Sequence, residues 1–472
     1  MFETLKKFIN NLSTELPSAK FYLVGGCVRD ALMAEESFFN PKIKDFDVEI
    51  FNVMPIEFEK TMAKLGVSYD CVGVSFGVYK VYVDGETFDF AFPRREKKTG
   101  LGYKGFQVEI DPYMSVEEAC GRRDLTINAM AYDILTATLI DPFKGREHIF
   151  LRTLHPTTEA FKEDPLRVLR AFQFASRFKF GWSLDLLLMA NDLYSEKQTL
   201  TPERIWVEWE KWCTRSNSPS NGLNFLVESG WVESEILNLM GVEQDPTHHP
   251  EGDVFNHTLC VVDAMNDICQ REGVTHEEKI ILMLTALCHD FGKANTTRFN
   301  EKKQKWTAYN HQITGVPLAE TFLEKINCPL KYRQTILTLV REHMVHLLEV
   351  ANDKNVRRLI NRLVSGKANL RLLTLMVEAD VSGRPPLPKG LSPRFMPWLD
   401  GCEKLGLDGE NKIAPIITGD ILIGQFGMRE GKELGDFIKE LYNCQIDGLF
   451  HSLESGLEYL KKKYTKKLKN GK

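Results

Sequence analysis

The sequence predicts an α+β protein, a small head with a mixed sheet followed by a long all-α body. Two observations carry this. Between Phe21 and Asp141, short apolar runs, several of them strictly alternating, are punctuated by Gly, Asn and Asp, as half-buried strands are. From about Leu154 the apolar residues recur at helical spacing almost to the C-terminus.

Phe21 to Val24 is an apolar run that stops at Gly25-Gly26, and a helix is expected from near Val28, so this stretch reads strand, tight turn, helix. In Lys44 to Ile50 a period of two puts Asp45, Asp47 and Glu49 on one face and Phe46, Val48 and Ile50 on the other. Phe58 to Leu65 reads as a helix, Gly73 to Val83 as two strands around a turn, and Asp84-Gly85 as the next hairpin turn. In Thr87 to Phe92 the phenylalanines take one face and Asp89 the other. Arg94 to Gly105 is basic, holds three glycines and has no periodicity, which describes a mobile loop over an anionic ligand. Ser115 and Glu118 have the spacing of a capping box. Gly121 to Asp133 reads as the start of an apolar helix, and Asp141 to Gly145 as a closing turn.

The chain has 472 residues, enough for about three domains, and 43% hydrophobic with 26% charged residues is ordinary for a globular protein. The net charge of −5 excludes a protein coated in basic surface, although a local patch such as Lys461 to Lys469 can still meet phosphates. Ten cysteines without C-x-x-C spacing are expected to be reduced thiols. The longest apolar run, near Ile280 to Cys288, is far short of the ~20 residues that span a bilayer, so a cytoplasmic protein without a membrane partner is expected.

Two constellations carry chemistry. In the first, Gly25 and Gly26 let backbone N–H groups approach a phosphate, and Arg29, one turn into the following helix, reaches the same anion. Asp45 and Asp47, about 7 Å apart along a strand, can share a pair of hard cations, so the combination describes a site for a nucleoside triphosphate and two Mg²⁺ ions. Asp89 is a third acid that could join them. Arg122 and Arg123 suit triphosphate oxygens, and Asp124 can accept hydrogen bonds from ribose hydroxyls. In Glu163-Asp164-Pro165-Leu166-Arg167, Pro165 fits the first helical position with Asp164 as N-cap, while Asp164 and Arg167 lie on one edge of the helix start. Cytosine and adenine each present an amino donor beside a ring-nitrogen acceptor. A carboxylate takes the first and a guanidinium serves the second, whereas uracil and guanine fail both contacts at about 1–3 kcal/mol per buried mismatch.

The second constellation lies between His248 and Asp380. His257 sits on a helix whose Val261 and Ala264 face inward, His289-Asp290 ends an apolar helix before Phe291-Gly292-Lys293, and Asp380 ends another. Histidines and aspartates at converging helix ends suit a divalent transition metal. His311 and His343 are candidates for a second position.

With these residues laid out, the first ~180 positions resemble the class II tRNA nucleotidyltransferases, the bacterial CCA-adding enzymes with a polymerase-β-like nucleotidyltransferase head. The motifs are GGCVRD with DFD, RRDLTINA, DPFKG and EDPLRVLRAFQFASRF, in the family's order. The resemblance implies that Asp45 and Asp47 are catalytic and bind Mg²⁺. It implies that Gly25, Gly26, Arg29, Arg122, Arg123 and Asp124 hold triphosphate and ribose, and that Asp164 and Arg167, with Arg170 beside them, read the base. Substrates would be tRNA, CTP and ATP. An enzyme adding only A, or a poly(A)-adding one, is the alternative within that chemistry, and an RNA-binding protein with hydrolase activity alone is the alternative outside it. The order His257, His289-Asp290, Asp380 resembles the HD-type phosphohydrolases, which implies a phosphatase or 2′,3′-cyclic phosphodiesterase using a metal such as Ni²⁺ or Mn²⁺. Four domains are expected: head 1–150, a helical neck and body with the base-selecting motif 151–240, HD domain 241–385 and a tRNA-binding helical tail 386–472. A monomer or homodimer fits equally.

Overall fold

The structure, a computed structural model, describes residues 1–35, 45–73, 77–98, 106–407 and 409–470. The chain forms two compact units, Met1–Val232 and Glu233–Lys472.

The first unit is built on a seven-stranded sheet. Its strands are β1 (Lys20–Val24), β2 (Asp47–Phe51), β3 (Ser68–Gly73), β4 (Val78–Val83), β5 (Glu86–Ala91), β8 (Ala131–Asp133) and β9 (Thr138–Ile140), in the order β3-β4-β5-β2-β1-β8-β9. A separate hairpin pairs β6 (Arg94–Lys98) with β7 (Phe106–Ile110). Every pairing of the large sheet is antiparallel except β2 with β5, which places Asp47 directly opposite Asp89. The alternation does what a period of two requires: Phe46, Val48 and Ile50 are buried, as are Phe88, Phe90 and Phe92, while Asp45 and Asp47 are exposed. Phe58, on the Pro55–Leu65 helix, packs against Phe90 with ring centroids 5.8 Å apart, and burying such a ring contributes about 2–3 kcal/mol.

Several elements depart from the sequence expectations. The strand expected to begin at Gly73 instead ends there, and the helix after Gly25 starts at Gly26, because Gly25 itself completes the turn at φ +71°. Arg94–Lys98 is a strand rather than the start of a loop; residues 99–105 of the expected mobile segment lie outside the described residues. Gly121–Asp133 is not a helix start. It is a turn, a 3₁₀ segment at Thr126–Asn128 and then β8. The Asp124 carboxylate accepts from the backbone N–H of Leu125 and the side-chain amide of Asn128, and Thr126 N–H donates to the carbonyl of His155, so local and tertiary bonds satisfy the backbone there.

The remainder is mostly helical. In the first unit the Leu166–Phe178, Pro202–Arg215 and Pro219–Glu228 helices pack together, with Phe172 against Trp209 and Trp212 and Gly222 close to Phe172. In the second, Val254–Glu272, His276–Cys288, Leu330–Glu342 and Leu370–Ser382 form one bundle, interrupted by a two-stranded hairpin, Thr297–Asn300 with Lys305–Ala308. Ile417, Leu422, Leu434, Phe437, Leu441 and Leu460 make a small core of their own near the C-terminus. Among the described residues no helix is long and apolar enough to cross a membrane.

Candidate functional site

In the first unit a cavity of about 500 Å³ opens at the turn after β1. Of the residues singled out from the sequence, Gly25, Gly26, Arg29, Asp47, Arg123, Asp124, Asp164, Arg167 and Arg170 line it, whereas Asp45 and Arg122 do not. Eight cationic side chains and three carboxylates face this space, an excess suited to a polyanion such as a triphosphate. Gly25 permits the arrangement. A Cβ there would lie 2.9 Å from Nη1 of Arg123, and its positive φ already disfavours any side chain.

Most of these groups are fixed by protein partners. Arg29 is 4% exposed; its Nη1 donates to Asn128 Oδ1 at 2.5 Å, its Nε to Asp30 at 2.7 Å, and its guanidinium lies over the rings of Phe174 and Phe178. Asp124 Oδ2 accepts from Arg170 Nε at 2.6 Å. Burial pushes the Asp124 carboxyl up, but Arg170 and Asn128 outweigh it and hold it at about 2. Burial, with Arg29 nearby, lowers Arg177 to about 10. The Leu166–Phe178 helix starts one residue later than expected, with Pro165 rather than Asp164 at its N-cap; Asp164 Oδ1 still accepts from Leu166 N–H at 3.1 Å, and Oδ2 accepts from Arg204 Nη2 at 2.6 Å. Arg167 donates Nη1 to the Ala160 carbonyl at 2.5 Å and Nη2 to the Arg122 carbonyl at 2.7 Å. A guanidinium has five N–H donors and a carboxylate about four acceptor positions, so both keep capacity for a ligand while their orientation is locked.

Asp47 is crowded by Asp89, Asp45 and Glu49. Desolvation raises its carboxyl above the ordinary value, the three neighbouring acids add to this, and Arg123 opposes it. Such mutual repulsion is relieved by a hard cation, which makes these acids a fit for Mg²⁺.

Spacing alone did not single out Gln173, Phe174, Arg177, Arg204, Lys211 and Arg215, which also line the cavity. The signal was present. Arg167, Arg170, Phe174 and Arg177 fall at i, i+3, i+7 and i+10, and Arg204, Lys211 and Arg215 at i, i+7 and i+11, each set on one helical face.

In the second unit His257, His289 and Asp380 form one cluster of ligand atoms within 4.8 Å, and Asp290, His311 and His343 another. All six residues are buried. The histidines share one hydrogen-bond plan. Nδ1 of His289, His311 and His343 lies 2.8, 2.7 and 2.6 Å from the carbonyls of Ala286, Ala308 and Val340, and Nδ1 of His257 lies 2.7 Å from Glu251 Oε1. With the proton on Nδ1, every Nε2 lone pair points inward. Nε2 of His311 and His343 then face each other at 3.3 Å, while buried Nε2 of His257 and His289 have no hydrogen-bond partner. Facing lone pairs and orphaned acceptors are costly without a cation, so this donor set fits a transition metal. Burial opposes ionisation of Asp290 and Asp380. Lys293 beside the first and Arg384 beside the second nevertheless hold both well below the carboxylate range.

Gly292 fits this geometry through its size, since a Cβ there would lie 2.0 Å from the His311 carbonyl oxygen. Glu251 and His249 were missed in the sequence because they sit in the irregular stretch His248-His249-Pro250-Glu251-Gly252. Glu251 Oε1 takes the Nδ1 atoms of both His249, at 2.9 Å, and His257.

Two families match separate stretches of the chain, the poly A polymerase head domain over residues 21–155 and the HD domain over residues 254–367. The multifunctional CCA protein of Xylella fastidiosa (strain 9a5c) is 34% identical over 377 residues, covering 77% of this chain and 84% of its own. That of Xanthomonas campestris pv. campestris (strain B100) is 33% identical, covering 77% and 85%. Among solved structures, the Bacillus stearothermophilus CCA-adding enzyme in complex with CTP has a TM-score of 0.63 at 19% identity, covering 99% of both chains. The Thermotoga maritima CCA-adding enzyme complexed with tRNA has 0.56 at 16%, covering 97% of this chain and 95% of its own, and at such identity these structures speak for the fold. With both domain matches in this order, and relatives a third identical over most of both chains, the chain belongs to the family of bacterial multifunctional CCA proteins, class II CCA-adding enzymes that carry an HD domain.

Proposed function

We propose that the first unit adds C, C and A to the 3′ end of tRNA from CTP and ATP, releasing pyrophosphate and using no template. The observation that carries this is the locked Asp164–Arg167 edge, held by Arg204 on one side and by two backbone carbonyls on the other within the cationic cavity. A fixed acceptor beside a fixed donor selects bases with an amino group next to a ring nitrogen, which are C and A. The Gly25-Gly26 turn and Arg123 receive the triphosphate. Arg29 is bonded to Asn128 and Asp30 and supports the wall from behind as much as it offers charge. Asp124, whose oxygens are taken up by protein partners, aims Arg170 into the cavity. Asp45 and Asp47 would hold Mg²⁺, which supplies charge neutralisation at the reacting phosphate when bound. The tRNA 3′ hydroxyl attacks the α-phosphate as pyrophosphate departs in line.

The test uses tRNA trimmed of its last three nucleotides. CTP alone is expected to extend it by two residues, and later ATP by one more. Growth with ATP alone and none with CTP would replace this reading with A-only addition.

A second activity is supported by the orphaned Nε2 atoms of the second unit. His257, His289, Asp290 and Asp380, with His311 and His343, would hold one or two transition-metal ions, and Lys293 and Arg384 lie beside Asp290 and Asp380 at 2.7 and 2.6 Å. The reading is a metal-dependent phosphatase or 2′,3′-cyclic phosphodiesterase. Release of 2′- or 3′-phosphate from a nucleoside 2′,3′-cyclic phosphate on adding Ni²⁺ or Mn²⁺ is expected. No turnover with either metal or with Mg²⁺ would remove this activity.

A further inference from the structure

We propose that the hairpin Thr297–Ala308, with the adjoining Tyr309, is a docking platform for single-stranded RNA beside the histidine–aspartate cluster of the second unit. That the docked strand feeds hydrolysis rests on the phosphohydrolase reading above; the docking itself does not.

The hairpin occupies a telling place. It is inserted between Asp290 and His311, and its last residue, Ala308, supplies the carbonyl lying 2.7 Å from His311 Nδ1. Its base is therefore one hydrogen bond from an inward-facing imidazole. The hairpin's composition is also unlike that of the chain. Within the hairpin Arg298, Lys302, Lys303 and Lys305 outnumber Glu301; Lys305 Nζ is paired with Asp245 Oδ2 at 3.1 Å, which leaves the excess on Arg298 and the tip lysines, in a protein whose net charge is −5. Phe299 pairs with Trp306 across the two strands, their rings 5.4 Å apart and edge to face. Phe299 is 46% exposed and Tyr309 58% exposed, and Lys303 Nζ lies 5.5 Å from the Tyr309 ring.

The ordinary explanation for lysines on a small hairpin is that they discourage pairing with another sheet edge. Half-exposed Phe299 and Tyr309 work against that purpose, since exposed rings invite association. Rings interleaved with cations are what a single-stranded polynucleotide requires. Bases stack on aromatic faces, at roughly tenfold in affinity per base, and lysines track the phosphates. Charge complementarity would also admit an acidic polypeptide, but carboxylates offer nothing to stack on the rings. The occupant chemistry is therefore RNA, presented through its 3′ end.

The test uses the full chain and a short oligoribonucleotide that carries 4-thiouridine and ends in a 2′,3′-cyclic phosphate. Photocross-links are expected at Phe299, Trp306 or Tyr309, and Lys302→Ser/Lys303→Ser is expected to reduce them at least fivefold. In the same variant, KM for the oligonucleotide should rise about tenfold. Turnover of a mononucleotide 2′,3′-cyclic phosphate and addition of CMP to trimmed tRNA should stay at parent levels. Because both lysines are exposed at the hairpin tip, the variant is expected to fold. Cross-links found only in residues 1–232, equal KM rises for both cyclic substrates, or competition by polyglutamate as effective as by unlabelled RNA would each overturn the proposal. Cross-links at the hairpin in a protein that hydrolyses neither substrate would uphold docking and remove the hydrolytic reading.

Discussion

Replacing Asp124 by Asn tests the wall of the cationic cavity most sharply, because the change keeps shape and removes only charge and one acceptor. Asp124 is 6% exposed and accepts from Leu125 N–H at 2.8 Å, Asn128 Nδ2 at 3.0 Å and Arg170 Nε at 2.6 Å. Whichever way an asparagine amide turns, its NH₂ meets one of these donors, and Arg170 loses its counter-charge. The fall of the carboxyl from 3.8 to about 2 is worth about 2 kcal/mol at ~1.36 kcal/mol per pKa unit. Breaking a buried pair costs about 3–5 kcal/mol, lowered here because the Arg170 side chain keeps 35% exposure to screening solvent. Together these give about 2–4 kcal/mol, or a fall of roughly 5–15 °C in the melting temperature of a unit of this size. The sign in pH follows from a depressed carboxyl. The stabilisation is complete above the unfolded value near 3.9 and is lost as pH falls through about 2. Calorimetry of the transition that CTP raises is expected to show the full gap between parent and variant at pH 7, narrowing from pH 4 toward 2. A variant melting within about 1 °C of the parent at pH 7, or a gap indifferent to pH, would refute the reasoning. The pair Asp124→Leu with Arg170→Met should recover only the part of the loss that comes from the uncompensated Arg170 charge, since Leu125 N–H and the Asn128 amide still lack their acceptor.

Arg167→Ala is expected to cut discrimination of CTP and ATP against UTP and GTP by roughly 5- to 150-fold, the equivalent of 1–3 kcal/mol per lost base contact; unchanged rejection of UTP and GTP in steady-state kinetics would contradict the base-reading edge. Glu251→Gln should weaken Ni²⁺ or Mn²⁺ binding by about 10- to 100-fold in chelator competition while the protein stays folded by circular dichroism, because Glu251 orients His257 through Nδ1. Parent-level metal affinity would make Glu251 merely structural. Gly292→Ala drives a methyl into the His311 carbonyl, so a loss of about 1–3 kcal/mol and of metal binding together is expected on thermal melting.

Much of the head was legible because its strands alternate. Phe46, Val48 and Ile50 against Asp45, Asp47 and Glu49 leave one face for the core and one for chemistry, and no tertiary contact is needed to see it. The His289-Asp290 pair stood out for the similar reason that polar residues interrupt a fully apolar helix. Gly121–Asp133 misled because Leu125, Ile127, Ala129 and Met130 look helical, whereas β8 is set by pairing with β1, more than a hundred residues upstream in sequence. Arg204 reaches Asp164 across forty residues, and Glu251 sits in a segment without periodicity. No local pattern announces a side chain whose purpose is to hold another.

The lone parallel pairing in the large sheet has a further consequence. Asp47 is delivered by β2 and Asp89 by β5, neighbours joined through the Pro55–Leu65 helix and two intervening strands. Sliding β5 by one residue would swing Asp89 toward the apolar side and bring a phenylalanine into its place. On the proposed reading of these acids, a slip in strand alignment would cost nucleotide addition as well as stability.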